Sequence, residues 1–289
     1  PCERRSAPAD IDGRESAMRL LSILLLAGFV ACANAAPSLT DVAYGPEPEQ
    51  RFDLHAPPGA QAAPLILMVH GGGWIRGDEE MGRVVDNKVS RWLPRGIAFV
   101  SINYRMQPKA PPLEQARDVA RALAYVEKNS ARLGVDRSNI VLMGHSAGAH
   151  IATLLALDGD YLAAEGLRPA GAVRGVVGLA GPYDFLPLRS RTLQAIFGPE
   201  STWPASQPVN HVARGAPPML LATGDADSTV LPRNTESLAA RLRAADNPVR
   251  TLTYPGIGHR EILGAFAPGL RFLAPVRQDV LRFVAATTA

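Results

Sequence analysis

The sequence predicts an α/β domain, a mainly parallel eight-stranded sheet with helices on both faces. Three observations predict it. From about residue 40 onward, strand-like apolar runs alternate with helical periods. The interior runs are apolar at successive positions, as strands covered on both faces must be. The 289 residues, 47% hydrophobic and 20% charged, are globular in composition, allow one large domain or two small ones, and are ample for a sizeable core. A net charge of +3 without a dense basic run points away from nucleic acid. Two cysteines cannot build a disulfide framework or a Cys₄ zinc site.

The elements follow in order. Asp41–Gly45 and Arg51–His55 are short and extended, an antiparallel opening pair. The run LILMVH, bounded by Pro64 and Gly71, reads as a buried strand, as does IAFVSI from Ile97 to Ile102. Leu113, Ala116, Val119, Ala120, Leu123 and Val126 fall at helical spacing with one buried face. Asn139–Met143 is a third buried strand, followed by Gly144 and a helical stretch through Leu157. Val173–Ala180, Met219–Thr223 and Val249–Tyr254 are further strands. Thr235–Ala245 and Pro275–Ala286 are helices. Residues 185–217, rich in proline and carrying Phe197 and Trp203, are an irregular cap-like insertion over a pocket.

The first 35 residues read as an upstream segment and a signal peptide. Met18 and Arg19 precede the apolar run LLSILLLAGFV, which ends at Val30, and Ala33-Asn34-Ala35 places a cut before Ala36. The true start is expected at Met18. The run is too short to span a bilayer, which needs about 20 apolar residues. An alternative makes Cys32 a lipidated cysteine after Val30-Ala31. Residues 36–289 then form one catalytic domain, exported to the periplasm or beyond.

Gly144-His145-Ser146-Ala147-Gly148 follows a predicted strand and opens a predicted helix. A Gly-x-Ser-x-Gly there makes a sharp turn that presents Ser146 as a nucleophile, and the helix N-terminus behind it favours negative charge. His70-Gly71-Gly72-Gly73-Trp74 follows the LILMV strand. Its glycines let backbone N–H groups converge, so Gly72, Gly73 and Ala147 are the expected oxyanion-hole donors. Among six histidines, His259 ends Tyr254-Pro-Gly-Ile-Gly-His259 after the last strand, where a general base belongs in the chain order Ser, acid, His. His70 is expected to hold the glycine loop, while His145 and His150 are expected to point away from Ser146. Asp225 or Asp227 could orient the imidazole, and the spacing Gly-x-x-Asp-x-x-Val favours Asp227; Asp184 is a distant third choice. Trp74, Phe185, Leu186 and Trp203 are candidate walls of a substrate pocket.

Together these residues resemble the α/β-hydrolase family over about residues 40–288. Within it HGGGW, SINYR (101–105), GHSAG, GPYDF, GDADSTV and YPGIGH look most like arylformamidases and feruloyl-esterase-like enzymes. They are also similar to the hormone-sensitive-lipase group. That group reads GDSAGG and YRLAPE, where this chain has GHSAGAH and Tyr104-Arg105-Met106-Gln107-Pro108-Lys109. The resemblance implies a serine carboxylesterase with the triad Ser146, Asp227 and His259, acting on small soluble esters with water. Such chemistry needs no metal or organic cofactor, no nucleic acid and no membrane span. An aryl formamidase or amidase would use the same triad, and a non-catalytic binding module on this scaffold is the remote alternative.

Overall fold

The computed structural model describes residues 39–77 and 92–289. The expected leader, the expected cut before Ala36 and Cys32 lie outside the described residues. Among the described residues there are eight strands: β1 (Leu39–Ala43), β2 (Arg51–His55), β3 (Ala63–Val69), β4 (Ala98–Ile102), β5 (Val135–His145), β6 (Gly175–Leu179), β7 (Met219–Gly224) and β8 (Val249–Tyr254). They form one sheet in the order β1-β2-β4-β3-β5-β6-β7-β8. β2 pairs antiparallel with both β1 and β4. The pairs from β4 through β8 are parallel.

Side chains alternate across a strand, and here both faces are buried. Leu65, Leu67 and Val69 of β3 join Val100, Leu142, Val176 and Leu221 on one face. Ile66 and Met68 join Phe99, Val141, Val177 and Leu220 on the other. Among the described residues five α-helices run seven residues or more: α1 (Pro112–Lys128), α2 (Ala147–Leu157), α3 (Arg191–Phe197), α4 (Arg233–Ala244) and α5 (Val276–Thr288). α1, α2 and α4 cover the first face, and Val276, Val280 and Val284 of α5 cover the second. Every residue of α2 from Ala147 to Leu155 is buried. It is the central helix, apolar all round, rather than an amphipathic one. No helix among the described residues is long and apolar enough to cross a membrane.

Two expectations need correction. β5 begins at Val135, not Asn139, because Val135 pairs with Ala63 across an irregularity in the ladder. The residues between are polar and turn-like, with Asp136 accepting from Ser138 and Asn139, so they carry no strand signal. The insertion is not irregular throughout. It holds α3 and the 3₁₀ turns Glu200–Thr202, Pro204–Ser206 and Pro208–His211. Ser190 caps α3 by accepting from the Leu193 N–H. Seven residues make about two turns, too few for a period to be visible in the sequence.

The loop after β4 is tied to α1 through Asp118, which is buried. Its Oδ1 accepts from Arg105 Nη2 at 2.7 Å and Gln50 Nε2 at 2.6 Å. Its Oδ2 accepts from Arg105 Nε at 2.8 Å and from the Arg105 backbone N–H at 3.1 Å. The carboxylate thus has both oxygens satisfied and raises the Arg105 guanidinium pKa further. Removing Asp118 takes the acceptor from the buried Gln50 amide and from the partly exposed Arg105 guanidinium. Asp118→Ala is expected to lower stability by about 1–3 kcal/mol, measured as the shift of the urea unfolding midpoint. A loss below about 1 kcal/mol, the range of exposed pairs, would count against this account.

Candidate active site

The glycine loop, Ser146, Asp227 and His259 follow the carboxyl ends of β3, β5, β7 and β8, where open α/β sheets bind ligands. Ser146 stands between β5 and α2 with φ 56° and ψ −125°, a conformation that side-chain-bearing residues rarely adopt. Its N–H donates to Leu179 O at 2.9 Å. The flanking glycines are sterically required. A Cβ at Gly144 would come within 2.3 Å of the Gly148 backbone, and one at Gly148 within 2.2 Å of Val69 O. The turn therefore brings α2 against the end of β3, where the glycine loop begins.

His259 Nε2 lies 2.8 Å from Ser146 Oγ, and His259 Nδ1 lies 2.8 Å from Asp227 Oδ2. Asp227 is buried, and its other oxygen accepts from the N–H groups of Thr229 at 2.9 Å and Val230 at 2.8 Å. An ionised carboxylate only accepts, so His259 Nδ1 donates to it and Nε2 is left to accept from the Ser146 hydroxyl. Asp225 is not at the imidazole. It accepts from Gly256 N–H at 2.6 Å and so pins the loop after β8. Asp184 accepts from Ser237 Oγ at 2.5 Å and belongs to the contact with α4.

The glycine loop lies against Ser146, since a Cβ at Gly71 would be 3.3 Å from Ser146 Cβ. Gly72 has φ 123°, and a Cβ there would strike Arg76 O at 1.7 Å. Ala147 is the first residue of α2, so its N–H has no acceptor within the helix. The loop is fastened from behind. The Tyr104 hydroxyl donates to His70 O at 2.7 Å, and its ring stacks on His70 at 4.4 Å. Trp74 O accepts from Gln107 N at 3.1 Å and Gln115 Nε2 at 2.9 Å.

Trp74, Phe185, Phe197 and His150 form one aromatic cluster. Trp74 lies 6.0 Å from Phe185 and 4.8 Å from Phe197, and Phe185 lies 5.4 Å from Phe197. Leu186, with Leu193 and Leu231, lines a groove of about 590 Å³ beside the acid loop. Trp203 is buried within the insertion, its indole N–H donating to Gly198 O at 3.0 Å.

Two histidines were misjudged from the sequence. His150 is fully buried in the aromatic cluster. Trp74 Nε1–H donates to its Nδ1 at 3.3 Å, and its Nε2–H donates to Ser206 O at 2.7 Å. Burial pushes its pKa down to about 4. It lies four residues after Ser146 on the same helix face, which was the available signal. His145 also faces the site. Its Nε2–H donates to His259 O at 2.8 Å, and the two rings are 4.8 Å apart. A strand end gives no hint of that long-range partner.

The BD-FAE family model matches residues 52–242. Esterase LipC of Mycobacterium tuberculosis is 30% identical over 75% of this chain and 58% of its own. The probable isoprenylcysteine alpha-carbonyl methylesterase ICMEL2 of Arabidopsis thaliana is 27% identical over 85% of this chain and 64% of its own. The chain thus spans less than two thirds of these relatives' lengths. Among solved structures, a truncated carbohydrate esterase from gut microbiota superposes with a TM-score of 0.74 at 23% identity, covering 88% of this chain and 97% of that one. Apo esterase 2 of Thermogutta terrifontis superposes at 0.72 and 22%, covering 88% and 95%. The architecture is the α/β-hydrolase fold, and with the family model spanning well over half of its length the chain belongs to the BD-FAE family.

Proposed function

We propose that this chain is a serine carboxylesterase that hydrolyses small soluble esters through an acyl-enzyme. The observation that carries the reading is the unbroken relay of Ser146, His259 and Asp227, with both links at 2.8 Å, at a strained strand-to-helix turn. The esterases among the relatives support the reaction class.

In the first half-reaction Ser146 Oγ attacks the ester carbonyl carbon as its proton passes to His259 Nε2. Asp227 holds the imidazole by its Nδ1–H and stabilises the imidazolium. The negative charge gathers on the former carbonyl oxygen, which the N–H groups of Gly72, Gly73 and Ala147 receive; one such donor contributes on the order of 10²–10³ in rate. His259 returns the proton to the leaving alkoxide oxygen as the C–O bond breaks. Water, deprotonated by the same Nε2, then attacks the acyl-enzyme and releases the acid. Trp74 and Phe185, stacked at 6.0 Å, stand as the wall beside the oxyanion loop. Trp203 is buried in the same core as Phe197, with its indole N–H on Gly198 O, so it belongs to the packing of the insertion. A short insertion favours soluble esters over emulsified lipid. The basic, apolar and small-residue pattern of residues 18–36 supports export of the enzyme.

The neutral state of His150 matters to this site, because a charge there would sit among aromatic rings. Its proton is held off by burial, while Ser206 O and Trp74 Nε1–H use both ring nitrogens.

Residues 36–289 are expected to hydrolyse p-nitrophenyl esters, with acetate and butyrate turned over faster than dodecanoate. Ser146→Ala and Asp227→Asn should each reduce kcat by about 10⁴-fold or more. Ester hydrolysis absent in the wild type, with turnover of an aryl formamide instead, would replace the ester with an amide. Hydrolysis retained in Ser146→Ala would refute the assignment of the nucleophile. His150 generates a pH prediction. Below pH 6.5 the unfolded chain protonates this histidine, whereas the folded chain does not until about pH 4. The unfolded state then binds more protons, so stability falls as pH drops through that window, by about 3 kcal/mol from this group. Urea midpoints at pH 7 and pH 4.5 should fall less for His150→Gln than for the wild type; equal falls would contradict it.

A further inference from the structure

We infer that His145 is a positioning residue for the general base, an inference that rests on the esterase reading above. The backbone around His259 carries the argument. The carbonyl of Gly258 accepts from Ile262 N–H, and that of Arg260 accepts from Gly264 N–H, so both neighbours feed the short helix that follows. The carbonyl of His259 between them turns the other way and accepts from His145 Nε2–H at 2.8 Å. The earlier half of this loop is anchored to the acid loop through Asp225 to Gly256 and Ala226 N–H to Ile257 O. At residue 259 itself the anchor is His145.

His145 is joined by one peptide bond to Ser146. The base is therefore held at two points to side chains of consecutive residues. One is the bond that the Ser146 hydroxyl donates to His259 Nε2, and the other is the bond that His145 Nε2–H donates to the His259 backbone carbonyl. The first bond must break and reform in each turnover, as the proton leaves Ser146 and the imidazole turns toward the leaving group. The second takes no part in the chemistry and keeps the loop in register throughout. The imidazole of His145 is nearly buried and packs on the His259 ring at 4.8 Å with a 41° tilt. Its Nδ1 edge faces the glycine loop, where a Cβ at Gly71 would come within 3.5 Å of it. The ring is thus a spacer between the loop that carries the base and the loop that carries the oxyanion donors. A carbonyl acceptor fixes the hydrogen on Nε2. A misplacement of about 1 Å at a reacting group costs about 10²-fold in rate, which sets the scale of the effect.

The test compares His145→Leu, His145→Asn and His145→Gln with the wild type. Leucine fills volume without a donor, asparagine has a donor that stops short, and glutamine places an amide N–H near the position of Nε2. Hydrolysis of p-nitrophenyl butyrate gives kcat and KM, the rate of Ser146 phosphonylation by a fluorophosphonate reports activation of the hydroxyl without turnover, and thermal unfolding checks the fold. Leucine and asparagine are expected to lower kcat and labelling by 10- to 100-fold with KM within about twofold, and glutamine is expected to recover most of the loss. Leucine at wild-type kcat, or glutamine no better than asparagine in folded protein, overturns the inference while the esterase reading stands. A wild type inert to both ester and fluorophosphonate overturns that reading and the inference with it.

Discussion

The backbone turn at Ser146 is the constraint on which the remaining structure depends. A serine at φ 56° and ψ −125° sits in a region that costs on the order of 1–3 kcal/mol. It persists because both sides of the turn are held. β5 is buried between β3 and β6, α2 is buried along its length from Ala147 to Leu155, and Ser146 N–H is bonded to Leu179 O. The close approach that results leaves no room for a Cβ at 144 or 148. It also sets the helix start, with its unpaired N–H groups, directly behind the hydroxyl. Strain, glycine pattern and the placing of the helix start behind Ser146 are consequences of one packing arrangement.

Around that turn the loops are joined mostly by uncharged hydrogen bonds from side chains to backbone. His145, His150 and Tyr104 each donate to a carbonyl on another element, and Gln107 and Gln115 hold the glycine loop and the insertion in place. The one carboxylate at the imidazole is buried and saturated by Thr229, Val230 and His259. This arrangement suits a reaction in which a positive imidazole and a negative oxygen appear together. Fixed dipoles stabilise both, and a further full charge nearby would favour one at the expense of the other.

The insertion is secured by the same kind of bond. Gln107 donates to Ile196 O, Gln207 accepts from Phe185 N–H, and His150 donates to Ser206 O. Asn234 of α4 accepts from the N–H groups of Tyr183 and Asp184 where the chain leaves β6. Four rings from three segments then fill the space between insertion and glycine loop. The insertion has the bonding of a wall built into the domain.

Much of this was legible in the sequence. Burial on both faces forces a strand such as LILMV to be continuously apolar, and a helix such as α1 to show one apolar stripe, so strands and long helices declare themselves locally. The glycines at 71–73, 144 and 148 are local too, because the absence of a side chain is itself the requirement. The spacing after Gly224 was enough to prefer Asp227 over Asp225. What the tertiary structure decided is how residues far apart in the chain meet. His145 meets His259 across 114 positions, and His150 joins Trp74 to Ser206. Phe197 enters the aromatic cluster from a helix too short to show a period. The strand order, with β4 placed between β2 and β3, was likewise decided there. Periodicity records which face of an element is buried, whereas a hydrogen bond between two loops depends on where both elements end in space.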